Sequence, residues 1–142
     1  MRFPNLTSFI TKSFFWLKEI PLLPIFIDEQ VKIFTFIFNP HLFFLMSKIV
    51  KEVSSWNGVN IHNHRYGGVE FKINNKEIGH LHGSGLLDIL FDKKTKDTLL
   101  ENKQISEHHV FKNTGWGSFY MNKNTDYQEV INLLQISLLL KK

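Results

Sequence analysis

At Asn57-Gly58 the spacing of apolar residues changes from helical to strand-like, and this change sets the order of layers that any fold of the chain must accommodate. Upstream, Leu42, Met46, Ile49, Val53 and Trp56 recur every three or four residues, which lines one face of an α-helix. Downstream, Val59 and Ile61 alternate with Asn60 and His62, the period of a half-buried strand. The Asn-Gly pair itself is a helix stop or tight turn.

Before this point the sequence predicts two or three short helices. Leu6, Ile10, Phe14 and Leu17 form a stripe that fits an amphipathic helix ending before Pro21. Asp28 is expected to open a second helix running through Phe38. Asn39-Pro40 reads as an N-cap followed by proline in the first turn, opening the third.

Beyond Gly58 the strands follow one another closely. The first ends near His64. In the second, Val69, Phe71 and Ile73 share a face with Glu70 and Lys72 opposite, and Asn74-Asn75 supplies turn chemistry. Simple alternation through a third strand, Lys76 to His82, puts Ile78, His80 and His82 on one face and Glu77 and Leu81 on the other. Gly83-Ser84-Gly85 turns the chain into a mostly apolar central strand, Leu86 to Phe91, that carries Asp88. Asp92 then caps a helix to about Glu101, and Gly115 to Met121 forms a last strand with Trp116, Ser118 and Tyr120 on one face. Thr125-Asp126-Tyr127-Gln128 is a capping-box pattern ahead of a closing helix whose stripe is Tyr127, Val130, Ile131, Leu134 and Leu138. The expected class is α+β: an antiparallel sheet of about five strands, one face covered by the third and last helices. A hydrophobic helical extension over residues 1–40 precedes the domain at 41–142.

A chain of 142 residues can bury a core without staples, and it has no cysteine, so disulfides, thiolate metal sites and cysteine nucleophiles are excluded. The expected location is the cytoplasm, with peripheral membrane contact through the apolar N-terminal helices as an alternative. No apolar run approaches the ~20 residues of a membrane span, because Asn39-Pro40-His41 divides the two longest. The net charge of +4 is thinly spread, with five basic and three acidic residues in the first fifty, which argues against nucleic acid as a partner.

Chemistry is concentrated downstream, where six of the seven histidines lie between His62 and His109. His80 and His82 make an H-x-H pair on one strand, close enough to converge on one ion, with a third ligand available from His62, His64, His108, His109 or Asp88. Zinc, iron and manganese would all suit such donors, and the sequence leaves the metal and any cofactor unknown. Asp88, between two apolar residues, must be paired or have its proton affinity altered; a salt bridge to Arg65 and orientation of an imidazole are both open. Gly67-Gly68 reads as a bend at a strand start, and Trp116 as either core or pocket wall. No nucleophile elbow or phosphate-binding loop is present.

The blocks His64-Arg65-Tyr66-Gly67-Gly68-Val69-Glu70-Phe71, Glu77-Ile78-Gly79-His80-Leu81-His82, Leu87-Asp88-Ile89-Leu90-Phe91, His108-His109-Val110, Gly115-Trp116-Gly117-Ser118-Phe119 and Leu133-Leu134-Gln135-Ile136-Ser137 together resemble the small luciferase-domain family of bacteria and fungi. The resemblance runs over about residues 45–142, with Leu90 where many members have proline and Leu138 where many have tyrosine. It implies a small α+β domain and assigns no reaction. A flavin luciferase of the bacterial type is similar to a (β/α)₈ barrel of ~250 residues, so light emission is not expected of this chain. The late Trp strand and closing Leu-Leu-x-x-Ser helix are also similar to the YjbR-like fold, which implies DNA binding by analogy alone.

Two functions are therefore expected. The first is an enzyme-like small-ligand pocket built from His64, His80, His82, Asp88, His108 and His109, with Arg65, Glu70, Trp116 and Ser118 as ligand-binding groups. The second is a non-catalytic module that uses the N-terminal helices to dock a membrane or protein partner.

Overall fold

Asn39 ends one helix and starts the next, and the rest of the fold hangs from that corner. Its side chain accepts a hydrogen bond from Leu42 N at 3.2 Å, satisfying one of the free amides of helix α2 (Pro40–Ser54), while its own amide bonds Thr35 of helix α1 (Leu23–Phe38). The computed structural model describes residues 22–142, so the expected helix over Leu6 to Leu17 lies outside the described residues. Helix α1 starts at Leu23, earlier than expected, because Pro24 is accommodated in its first turn, where no intrahelical amide is needed. Asp28 is therefore not a cap. It sits inside the helix, buried, and its Oδ1 accepts from Gly83 N at 2.8 Å.

The strands are β1 (Val59–Asn63), β2 (Val69–Ile73), β3 (Lys76–Leu81), β4 (Leu86–Leu90), β5 (Ser106–Glu107) and β6 (Trp116–Tyr120). They form one antiparallel sheet in the order β1-β2-β3-β4-β6-β5. The sixth strand, β5, is only two residues long, too short to show as an alternating pattern. Asn74 and Asn75 take positive φ (49° and 63°) in the β2–β3 hairpin, as asparagine tolerates and the twist of a tight hairpin requires. Helix α3 (Lys93–Glu101) is capped by Asp92, which accepts from Thr95 N at 2.8 Å. Helix α4 (Tyr127–Leu139) is capped by Asp126, not Thr125; the Thr125 hydroxyl accepts from Asn122 N instead.

Helices α2 and α4 cover one face of the sheet. Leu42, Met46, Ile49 and Val53 from α2 and Val130, Ile131, Leu134 and Leu138 from α4 join Phe71, Ile78, Leu81, Leu87 and Ile89 in one core. Each such side chain, fully buried, contributes roughly 1.5–3 kcal/mol. Ser137 ties α4 to the sheet, its hydroxyl reaching Ile78 O at 2.9 Å and Leu90 O at 2.7 Å. The sheet's other face is free of these helices and carries the histidines.

Candidate functional site

Antiparallel partners point to the same side of a sheet, and the register places six polar residues in one row across all six strands. His62 pairs with Glu70, Glu70 with His80, His80 with Asp88, Asp88 with Ser118, and Ser118 with Ser106. Two residues along their strands, His82 and Trp116 share this face with His80 and Ser118.

Glu77 joins them against simple alternation. Phe71 pairs with Gly79 and Lys72 with Glu77, which leaves Ile78 without a partner as the extra residue of a β-bulge. Ile78 and Gly79 thus both lie on the core side, and Glu77 and His80 both face the polar side. The expected grouping of Ile78 with His80 is corrected by this bulge. Gly79 is what makes it tolerable: a Cβ there would stand 2.5 Å from Asp88 O.

Asp88 is the centre of the arrangement. The Ser118 hydroxyl donates to its Oδ1. Its Oδ2 lies 3.5 Å from His80 Nε2, 3.6 Å from His82 Nε2 and 3.6 Å from His108 Nε2. All three distances exceed the ordinary hydrogen-bond limit of about 3.2 Å, and this buried oxygen has no hydrogen-bond partner among the described residues. Burial would raise the Asp88 carboxyl, but His80, His82, the Ser118 hydroxyl and His108 hold it far below the usual carboxylate range.

The imidazoles differ in where they carry protons. Ionised Glu77 can only accept, so His80 donates from Nδ1 to Glu77 Oε1 at 2.6 Å. Burial favours the neutral ring, yet the Asp88 and Glu77 carboxylates on either side outweigh it and raise His80 to about 9. Glu77 is in turn held low, against its own burial, by His80. His108 is the reverse case. Its Nδ1 accepts from Val110 N at 3.1 Å and Phe111 N at 3.0 Å, so the neutral ring carries its proton on Nε2, aimed at Asp88. Burial lowers its proton affinity, with Asp88 opposing. His64 stacks on His80, centroids 3.7 Å apart and rings 9° from parallel, and burial plus the neighbouring His80 charge push it down to about 4.

Of the expected site residues, His64, His80, His82, Asp88, His108 and Ser118 are brought together. Trp116 lies beside them, 5.2 Å from His80 and 6.0 Å from His108 between ring centroids. His109 stacks on His108 from the exposed side. Glu70 belongs to the polar row but is paired with Lys72 at 2.9 Å. Arg65 is exposed and lies over the Tyr66 ring, so the Arg65–Asp88 salt bridge that the sequence left open is replaced by Ser118 and the imidazoles. Two residues escape sequence reasoning. Glu77 is hidden by the bulge, for which Gly79 is the available sign. Asp28, whose Oδ1 stands 3.9 Å from His82 Nδ1, gives no local signal at all. A cavity of about 370 Å³ between Lys32, Phe43, Met46, Val50, Val69 and Leu81 lies on the helical side of the sheet, not against the histidines.

The protein is thus an α+β domain with an open antiparallel sheet, helices on one face and an Asp-centred histidine cluster on the other. Residues 75–137, from β3 into α4, match the family model described as Luciferase domain. No curated protein and no solved structure matches the chain.

Proposed function

We propose that the polar face of the sheet is an enzyme-like site for a small molecule, with Asp88, His80, His82 and His108 as its reactive centre. The observation that carries this reading is the Asp88 carboxylate, 1% exposed, whose Oδ2 faces three imidazole Nε2 atoms and bonds to none of them. A buried anionic oxygen that accepts no hydrogen bond costs stability that an apolar side chain in its place would not, and such arrangements concentrate where a fold does chemistry. His80 and His108 each offer a proton toward one point, His82 is 21% exposed and links that point to solvent, and Trp116 forms a wall. This supports proton transfer to or from a polar atom of the bound molecule. Glu70, Glu77 and Asp88 on the same face would repel phosphates, which favours a small ligand over nucleic acid.

A fragment screen read by side-chain NMR of the full chain tests this. Binders that perturb His80, His82 and Trp116 signals and lose affinity in Asp88→Asn support the reading. Binders confined to the cavity beneath α2 would sink it.

A second reading is supported by α1, whose outer face leaves Leu22, Phe26, Phe34, Ile37 and Phe38 between 62% and 75% exposed. Contiguous apolar area of this kind marks contact surfaces. Among the described residues no helix is long and apolar enough to cross a membrane, so this face suits docking on a lipid surface. Vesicle co-sedimentation of the wild type against a Phe34→Asp/Phe38→Asp variant decides it; equal pelleting ends this reading.

A further inference from the structure

We infer that Asp88 Oδ2, His80 Nε2 and His82 Nε2 form a binding site for one divalent first-row transition-metal ion of the zinc or ferrous class. The inference rests on the reading of this face as a reaction centre and names its cofactor. Nε2 atoms 3.5 and 3.6 Å from Oδ2 are too far for good hydrogen bonds, but ligand atoms ~2.0–2.1 Å from a tetrahedral ion stand ~3.3 Å from one another. The three donor atoms all lie within 4.8 Å of each other, so small side-chain rotations close them on an ion, which takes the place of the Nε2 proton of His80 while Nδ1 keeps its bond to Glu77. An ion there would also satisfy Asp88 Oδ2, the buried oxygen that has no hydrogen-bond partner among the described residues.

The surroundings are those a metal site requires. A ligating histidine is fixed by a carboxylate or carbonyl at its other nitrogen. Behind His80 stands Glu77, at 2.6 Å from Nδ1, and behind His82 stands Asp28, with Oδ1 3.9 Å from Nδ1. Ser118 holds the second oxygen of Asp88, which leaves Oδ2 for the ion. His80 and Asp88 thus each have a hydrogen-bonded support, from strands β3 and β6, and His82 has a carboxylate of helix α1 nearby without a hydrogen bond to it.

His108 defines what remains open. Its Nδ1 is occupied by two backbone amides, so its Nε2 carries hydrogen and cannot donate a lone pair. It is excluded as a fourth ligand and instead points a donor at the ion's neighbourhood. Three protein ligands with open positions is the pattern of a reactive metal, where a fourth protein ligand would close a structural one. Two imidazoles and one carboxylate, with no cysteine in the chain, suit borderline metals such as zinc and ferrous iron better than calcium or magnesium.

The test uses the full chain, untagged and dialysed against chelator, titrated with Zn²⁺ by calorimetry and with Co²⁺ by visible absorption. The expected result is one ion per chain, with Co²⁺ bands of a site of low coordination number. His82→Ala and the near-isosteric Asp88→Asn should each weaken binding more than ~100-fold, and Glu77→Gln ~10–100-fold, as for an outer-shell carboxylate. His109→Ala should leave affinity unchanged. Circular dichroism melts of each variant separate lost ligands from lost fold. If His109→Ala abolishes binding and His82→Ala does not, the ion belongs to Asp88, His108 and His109, and the assignment is overturned. If wild-type protein binds none of Zn²⁺, Co²⁺ or Fe²⁺ while the fragment screen still returns binders dependent on Asp88, the metal is refuted and the reaction centre survives; failure of both removes both.

Discussion

His80 Nδ1 and Glu77 Oε1 stand 2.6 Å apart although the residues are three positions apart along one strand, where regular alternation would put them on opposite faces. The bulge at Ile78 turns Glu77 toward the histidines, and the pair then sets the proton location on His80. Replacing the carboxylate with an amide should lower His80 from about 9 toward its ordinary value, because one of the two carboxylates opposing its burial is gone. Long-range ¹H–¹⁵N spectra of metal-free Glu77→Gln, titrated with pH, would show this; an unmoved His80 titration would mean that Asp88 alone governs it.

The same residue gives the metal-free fold a pH dependence. His80 is raised from 6.5 to about 9, so its contribution is fully present below about pH 6.5 and is lost as pH rises through 9. At ~1.4 kcal/mol per pH interval the ceiling is about 3 kcal/mol. His64, lowered to about 4, acts oppositely, its contribution present above 6.5 and lost as pH falls through 4. Urea denaturation should therefore show stability falling between about pH 6.5 and about 9.5, and His80→Asn should flatten that slope.

Ser118 holds Asp88 Oδ1 inside the sheet, with both residues almost fully buried. Ser118→Ala would leave both carboxylate oxygens of Asp88 without a hydrogen bond and should cost about 1–3 kcal/mol. It should also raise the Asp88 carboxyl, since one of the groups holding it down is removed. A loss under ~0.5 kcal/mol in denaturant midpoint would show that the imidazoles support Asp88 without the hydroxyl.

Local pattern carries most of the fold. The α2 stripe, the Asn39 and Asp92 caps, the Asn74-Asn75 turn and the Asp88 strand are legible because each is written within a few adjacent residues. Strand β5 is not, since two residues cannot show a period and its pairing with β6 is a tertiary matter. Within the site, His80, Asp88 and Ser118 can be suspected singly, but their common row depends on strand register, which distant residues set. Glu77 is misplaced by alternation, which assumes an unbroken pleat. Asp28 lies 55 residues from its hydrogen-bond partner Gly83, and nothing near it in sequence marks the contact.

That contact makes Asp28 the link between α1 and the histidine face. Its Oδ1 accepts from Gly83 N in the β3–β4 turn, its Oδ2 stands 3.3 Å from Lys32 Nζ, and Gly67 fits against its Cβ with no room for a side chain, since a Cβ on Gly67 would fall 2.6 Å away. Helix α1 is held at the same turn by Thr35, whose hydroxyl donates to Gly83 O at 2.8 Å. Asp28→Ala would leave the Gly83 amide unpaired and should destabilise the fold by about 1–3 kcal/mol, while loosening the turn that begins at His82. Amide hydrogen exchange locates the effect. Faster exchange should appear at Gly83 and Gly85 with β4 unchanged, whereas uniform acceleration across the sheet would show that Asp28 supports the whole core and not this turn.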